Sequence, residues 1–493
     1  MMAPSCAILS GDPTCGEPRY FCIISGAAVV SSDIRDILCA RHAVGLRNDV
    51  DHAAISHLLH DGFVPQPRTV YKDVFAVGAG ISAWPENDNI RFQSDFPFAK
   101  AKSHQDRVAD PDTLLRLLAE ATNRSCEKRR KQVLMLSAGL DSTSLALAAK
   151  AAGRNETLCV TYAEADDDEE AGFARDVCRR LGLRHETYLL DMRSRVIGPI
   201  LQHHASRSPE PCADPALTAC VATLSHFSDE DTVVLDGSGS DIYFWKPPRP
   251  LDMAKLRAST KSAPLLAGLR KFVPMHWPHE RLLSSPFELV QFPGPRLRHC
   301  DTRAFYPESM NTHRYWLREL AHSSPPVDEI RSRVRSGLML PTAYMLKTRS
   351  AAQSTGATVQ FPWTDWGVAD YCFNLPEPAR FSRRVGQTKM IVRDMLRKYL
   401  NYDEDLIGKR VFSFGKRKFL AQKLDFCREE ILNCSLWSRN IEPYLASLER
   451  RFLRGQRTEN ALLALLMVSL WHNHWINGEM PTMLRQQAGG MAA

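Results

Sequence analysis

Between residues 132 and 235 short apolar runs alternate with longer amphipathic ones, and this alternation restricts the fold more than any other feature of the chain. Strands are expected at 132–136, 157–162, 185–190 and 232–235, with helices at 142–152, 170–181 and about 215–227 between them. Strands joined through helix-length crossovers run parallel, with helices covering both faces of the sheet. The expected class is therefore α/β. Ligands of such sheets sit at the carboxyl ends of the strands, so the candidate binding residues are those that directly follow each strand.

Two strand ends stand out. The first is Val133-Leu-Met-Leu-Ser-Ala-Gly-Leu-Asp-Ser-Thr-Ser144, which reads as a buried strand, a tight turn of small residues, and a helix whose apolar stripe includes Leu145, Leu147 and Ala148. Backbone N–H groups at such a turn, followed by a helix N-terminus, make an anion site, and the ligand to expect is a phosphate. No Gly-x-x-x-x-Gly-Lys-Ser/Thr string occurs, so this is not the loop that grips the end phosphates of a nucleotide for hydrolysis. Asp141 adds a second point. A carboxylate beside a phosphate nest is repulsive unless a cation lies between them, and magnesium is the cation that chemistry favours. An ordinary strand–turn–helix with Asp and Ser caps would use the same letters, so one loop does not decide. The second strand end, Val233-Val-Leu-Asp-Gly-Ser-Gly-Ser-Asp-Ile242, repeats the arrangement of strand, small residues and acid. Facing one another across a crevice, the two loops would let backbone approach a nucleotide while Asp141 and Asp241 share magnesium.

Length and composition bound the rest. With 493 residues the chain is expected to hold two domains, residues 1–105 of mixed character and residues 106–478 beginning near the helical pattern at Asp112-Thr-Leu-Leu, followed by a frayed tail at 479–493. The net charge of +7 is spread along the chain, which permits an anionic ligand without calling for nucleic acid. Thirteen cysteines without a Cys-x-x-Cys pair form neither a disulfide framework nor a zinc site, and a cytoplasmic location is expected. The apolar run Ala461–Trp471 is about half the length of a membrane span, so a buried helix and no membrane partner are expected. A proline-rich excursion over 246–300 precedes a mainly helical remainder. Acids at Asp166–Glu170 suit a helix N-terminus better than a metal, and Trp471-His-Asn-His-Trp475 lacks the further ligands of a zinc site.

The Ser137–Ser142 loop resembles the pyrophosphatase loop of ATP-dependent adenylating enzymes. Together with Asp236–Asp241, the helix Glu170–Gly182, the segment Ser350–Asp365 with its Phe361-Pro-Trp-Thr-Asp365, and the basic segments Lys389-Met-Ile-Val-Arg393 and Lys409-Arg-Val-Phe412, it is similar to the synthetase domain of the asparagine synthetase superfamily. The resemblance implies an adenine nucleotide α-hydrolase-like parallel sheet that uses ATP and magnesium. It further implies that Ser137, Gly139, Asp141, Ser142, Val160, Gly237 and Ser238 bind nucleotide, that Asp141 and Asp241 hold the metal, and that Lys409 and Lys389 are catalytic cations, with Arg393 nearby in sequence. In the implied reaction a carboxylate attacks the α-phosphorus of ATP, pyrophosphate leaves, and an amine converts the acyl-adenylate to an amide.

Ile55-Ser-His-Leu-Leu-His-Asp-Gly-Phe-Val-Pro65 and Thr69-Val-Tyr-Lys-Asp73 resemble the later part of the family's glutaminase domain, an α+β fold of the N-terminal nucleophile type. A working glutaminase needs an N-terminal cysteine. Here the sequence starts Met1-Met2-Ala3, its first cysteine is Cys6, and the family's Asn-Gly-Glu-Ile-Tyr-Asn string is missing, so this domain is expected to be degenerate and inactive. The attacking amine should then belong to the substrate, as in the ring-closing branches, β-lactam synthetases and lasso peptide macrolactam synthetases. Ser238 stands where asparagine synthetases carry Glu and β-lactam synthetases Tyr, and Thr358 where the latter carry the partner Glu. A peptide α-amine, with a reference pKa of about 7.7–8.0, needs little help from such a base. The macrolactam branch is thus expected, with a ribosomally made precursor peptide and a leader-removing protease as partners. β-Lactam synthetase-like and ammonia-using chemistry are the enzymatic alternatives; transfer RNA thiolation and a non-catalytic adaptor are those of other classes.

Overall fold

The computed structural model describes residues 9–477 except 12–13, 15–17, 79, 87–88, 95–107, 128–130, 166, 192–194, 228, 245–296, 298, 313–314, 316–332, 383 and 403–414. The expected domain boundary near 105, most of the 246–300 excursion, Lys409 and the tail at 479–493 lie outside the described residues. Residues 9–94 contain two three-stranded antiparallel sheets. One, in the order β1-β5-β6, pairs Leu9–Ser10 (β1), Ile81–Glu86 (β5) and Asn89–Ser94 (β6); the other, in the order β3-β2-β4, pairs Arg19–Ile24 (β2), Ala27–Ser31 (β3) and Phe75–Val77 (β4). Two helices accompany them, Ile34–Ala43 (α1) and His52–Asp61 (α2). The second starts at Asp51, whose carboxylate accepts from the amides of Ala53 and Ala54, and ends at Gly62 with φ +86°.

The alternating stretch folds as its pattern dictates. Pro111–Cys126 (α3), capped by Asp110, leads to Lys131–Met135 (β7), Leu140–Ala151 (α4), Leu158–Ala163 (β8), Glu169–Leu181 (α5), Arg184–Leu189 (β9), Ile197–Arg207 (α6), Leu217–Leu224 (α7) and Thr232–Leu235 (β10). With Thr358–Gln360 (β11) the strands form one all-parallel sheet in the order β11-β10-β7-β8-β9. Boundaries differ from the expected ones mostly by a residue or two, and α7 is shorter. The edge strand β11 departs from the helical reading of the later chain. Met345–Thr355 (α8) closes on Gly356 at φ +86°, and the β-branched Thr358 and Val359 that follow suit a sheet edge.

The acids before α5 act as foreseen, Asp168 accepting from the amides of Glu170 and Ala171. The long apolar run lies in the buried helix Glu459–Trp475 (α9), and this helix joins the two halves of the chain. Trp471 Nε1 donates to Pro209 O at 2.8 Å and to the Tyr71 hydroxyl at 3.1 Å, and Tyr71 in turn donates to Pro209 O at 2.7 Å. Tyr20 of β2 donates to Glu210 Oε2 at 2.6 Å. One hydrophobic cluster accordingly runs from Tyr20 and Ile37 through Leu201 and Val221 to Trp471.

Candidate active site

The turn after β7 is tied by its own side chains. Ser142 Oγ accepts from the Ser137 amide at 3.0 Å and lies 2.9 Å from Ser137 Oγ, which accepts from the Gly139 amide at 3.2 Å. Both serines therefore shape the loop. Gly139 is the N-cap of α4 and contributes no side-chain acceptor, so no side-chain cap competes with an anion for the first-turn amides that helix geometry leaves unbonded. The far side of the loop is held by Tyr402, whose hydroxyl donates to Ala138 O at 2.5 Å.

The turn after β10 packs directly on it. A Cβ at Gly237 would lie 2.9 Å from Ser142 N and 3.1 Å from Asp141 C, both backbone atoms, so only glycine allows the two loops to meet. Gly239, at φ +124°, fits against Trp363 and Thr364, where a Cβ would come within 3.0 Å and 2.9 Å of side-chain carbons. Trp363 is fully buried and reaches the first loop, donating from Nε1 to Asp141 O at 3.3 Å. Asp236, buried at the end of β10, accepts from the Ser238 amide at 2.6 Å and from the Thr348 hydroxyl of α8 at 2.5 Å. It sets the loop, and Ser238 turns its amide inward to meet it.

At the junction, Lys389 Nζ donates to Asp141 Oδ2 at 2.6 Å and to Asp241 Oδ1 at 2.9 Å, while Ser240 Oγ donates to Asp141 Oδ1 at 2.5 Å. Lys389 is the N-cap of the helix Met390–Leu400 and holds φ +61°, a left-handed conformation uncommon for a residue other than glycine. Burial works against its charge, but Asp141 and Asp241 outweigh that effect and keep the ammonium well above its ordinary range. Burial raises the Asp141 carboxyl; Lys389 opposes this and Asp241 adds to it. Two carboxylates thus share one cation. A magnesium ion, which takes one or two carboxylates and completes its shell with phosphate and water, suits that donor set. Among the described residues no group of three or more His, Cys, Asp or Glu could hold a metal by itself.

The remaining expected residues fall elsewhere. Val160 lies within β8 beside Met135, its side chain in the core and its carbonyl accepting from the Leu136 amide at 2.8 Å, directly behind the first loop. Arg393 Nε donates to Thr388 O at 2.9 Å, fastening the residue before Lys389. Thr358 begins β11 and contacts Thr232 O. Glu164, just beyond β8, accepts from the Gly415 amide at 2.7 Å and from Lys418 at 3.4 Å, bringing the start of the helix Lys416–Leu432 to the carboxyl edge of the sheet. Tyr402 and Thr348 carry no local sequence signal, because their roles exist only after the chain has folded.

Residues 113–473 match the asparagine synthase family. The chain belongs to the asparagine synthase family. Relatives from Mycobacterium bovis and Mycobacterium tuberculosis, provisionally named glutamine-hydrolysing asparagine synthetases, are 26% identical over 241 residues, which is 47% of this chain and 36% of theirs. The match thus spans about a third of those relatives' length. Family membership agrees with the parallel sheet and with both strand-end loops falling inside the matched residues. No helix among the described residues is long and apolar enough to cross a membrane.

Proposed function

We propose that the protein is an ATP-dependent amide ligase that adenylates a carboxylate and releases AMP and pyrophosphate. The observation that carries this reading is the apposition of the two loops through Gly237, which sets Asp141, Asp241 and Lys389 in one cluster at the α4 N-terminus. Pyrophosphate needs backbone donors and positive charge. The first turn of α4 offers the donors, and Lys389 the charge. Bound through Asp141 and Asp241, magnesium would supply further charge against the phosphates. The substrate carboxylate oxygen attacks the α-phosphorus, the bond to pyrophosphate breaks, and an amine nitrogen then displaces AMP from the acyl carbon and loses its proton. Lys409 is proposed as a second cation facing the charge that develops on the phosphate.

The acyl donor is proposed to be an Asp or Glu side chain of a ribosomally made peptide, and the amine that peptide's own N-terminus, giving a lasso-type macrolactam in the cytoplasm after a protease of the same pathway frees the amine. Two observations support this. Neither Ser238 nor Thr358 supplies a base for a poor nucleophile, and Thr69 and Tyr71 of the glutaminase-like segment Thr69–Asp73 are buried as structural residues, Thr69 Oγ1 donating to Val74 O at 2.8 Å. The mycobacterial relatives' name favours a second reading, amidation of free aspartate. Incubating the protein with ATP, magnesium, a candidate core peptide, free aspartate and ammonium separates them. The macrolactam reading expects a peptide lighter by one water; asparagine formed from aspartate, with the peptide untouched, replaces it by the second reading.

A further inference from the structure

Lys389 stands where a bridging metal ion would have to go. Its Nζ contacts Asp141 Oδ2 and Asp241 Oδ1, and the other Asp141 oxygen receives Ser240 Oγ. Magnesium binds oxygen at about 2.0–2.1 Å, so an ion spanning the same two oxygens has to enter the gap that the ammonium fills. The backbone of Lys389 is pinned on both sides, its amide donating to Arg380 O at 2.8 Å and its carbonyl accepting from the Arg393 amide at 2.9 Å. Only the flexible side chain can leave.

Charge decides when it leaves. A free divalent ion that displaced the ammonium would strand a cation, whose side chain is only 12% exposed, beside another cation. A metal arriving with a polyphosphate brings the ammonium a new acceptor. We propose that Lys389 is a resident counter-cation that excludes free divalent ions from the Asp141–Asp241 pair and gives way only to a metal carried by nucleotide. This inference deepens the adenylating reading and rests on it for the identity of the nucleotide.

The test is manganese binding to the full-length protein, followed by electron paramagnetic resonance without nucleotide. Lys389→Asn, chosen because asparagine tolerates a left-handed backbone, should bind manganese about tenfold or more tightly than the wild type, and the gain should vanish when Asp241→Asn is added. Equal or weaker binding by folded Lys389→Asn overturns the proposal. Asp241→Asn alone provides an arm that does not depend on the lysine variant folding. It should leave nucleotide-free manganese affinity at the wild-type level, since the pair is already closed to the ion, and a several-fold loss contradicts the proposal. Pyrophosphate exchange into ATP, measured on the same wild-type protein with a candidate core peptide as the carboxylate, reports separately on adenylation, so a failure of that reading is distinguishable from a failure of the counter-cation role.

Discussion

Asp141 answers to Ser240, Lys389 and Asp241 at once, and that crowding sets what its replacement does. Asp141→Asn keeps the shape and removes the charge, so the fold should persist by circular dichroism while ATP-dependent adenylation is abolished. Asp241→Asn should behave alike. Gly237→Ala belongs to a different physical case. Its Cβ would meet backbone atoms of Ser142 and Asp141, which cannot swing aside as a side chain can. Urea denaturation should show a loss of about 1–3 kcal/mol, with adenylation impaired in parallel. An alanine variant as stable and active as the wild type would show that the loops do not meet as described.

Helix α8 joins the nucleotide loops to the rest of the molecule. Its Thr348 donates to the buried Asp236 that sets the second loop, and its Arg349 lies beside the Tyr20–Glu210 pair that joins β2 to the segment between α6 and α7. Thr348→Val keeps the volume but withdraws the donor from a buried carboxylate, and should cost about 1–3 kcal/mol in urea denaturation. If stability is unchanged, Asp236 does not depend on that hydroxyl. Although α6 was not among the expected helices, much at this scale was legible beforehand, because the apolar runs of β7 to β10 alternate with helix-length segments and the small residues of both loops fall directly after strands. β11 was not, since three residues after a helix carry too little pattern. Nor could the sequence place Lys389 between two acids about 150 to 250 positions earlier in the chain; only the left-handed turn at the helix cap aims it there. The serines of the first loop, expected to contact nucleotide, also tie the loop together through their hydroxyls, a role no sequence pattern announces.

Across the whole molecule, the continuous core makes residues 9–94 part of the structure that carries the site, with Trp471 bonded to both Tyr71 and Pro209. It also buries histidines in neutral form. Burial, with His203 beside it, lowers His204 to about 4, and burial together with His52 lowers His472 to about 4. An unfolded histidine titrates near 6.5, so between about pH 6.5 and 4 the unfolded chain binds more protons and stability falls as pH falls. Each histidine contributes up to about 3 kcal/mol of that loss. Glu210, raised by burial, works the other way. His204→Leu should therefore flatten the decline of the urea midpoint between pH 6.5 and 4.5, and an unaltered slope would exclude His204 as its source.

That the two strand-end loops form one adenylating site is tested most directly by magnesium-dependent exchange of labelled pyrophosphate into ATP in the presence of a candidate core peptide. The wild type should incorporate label and, on full turnover, release AMP and pyrophosphate in equal amounts, while Asp141→Asn should incorporate none. Release of ADP and phosphate, or exchange that survives in Asp141→Asn, would contradict it.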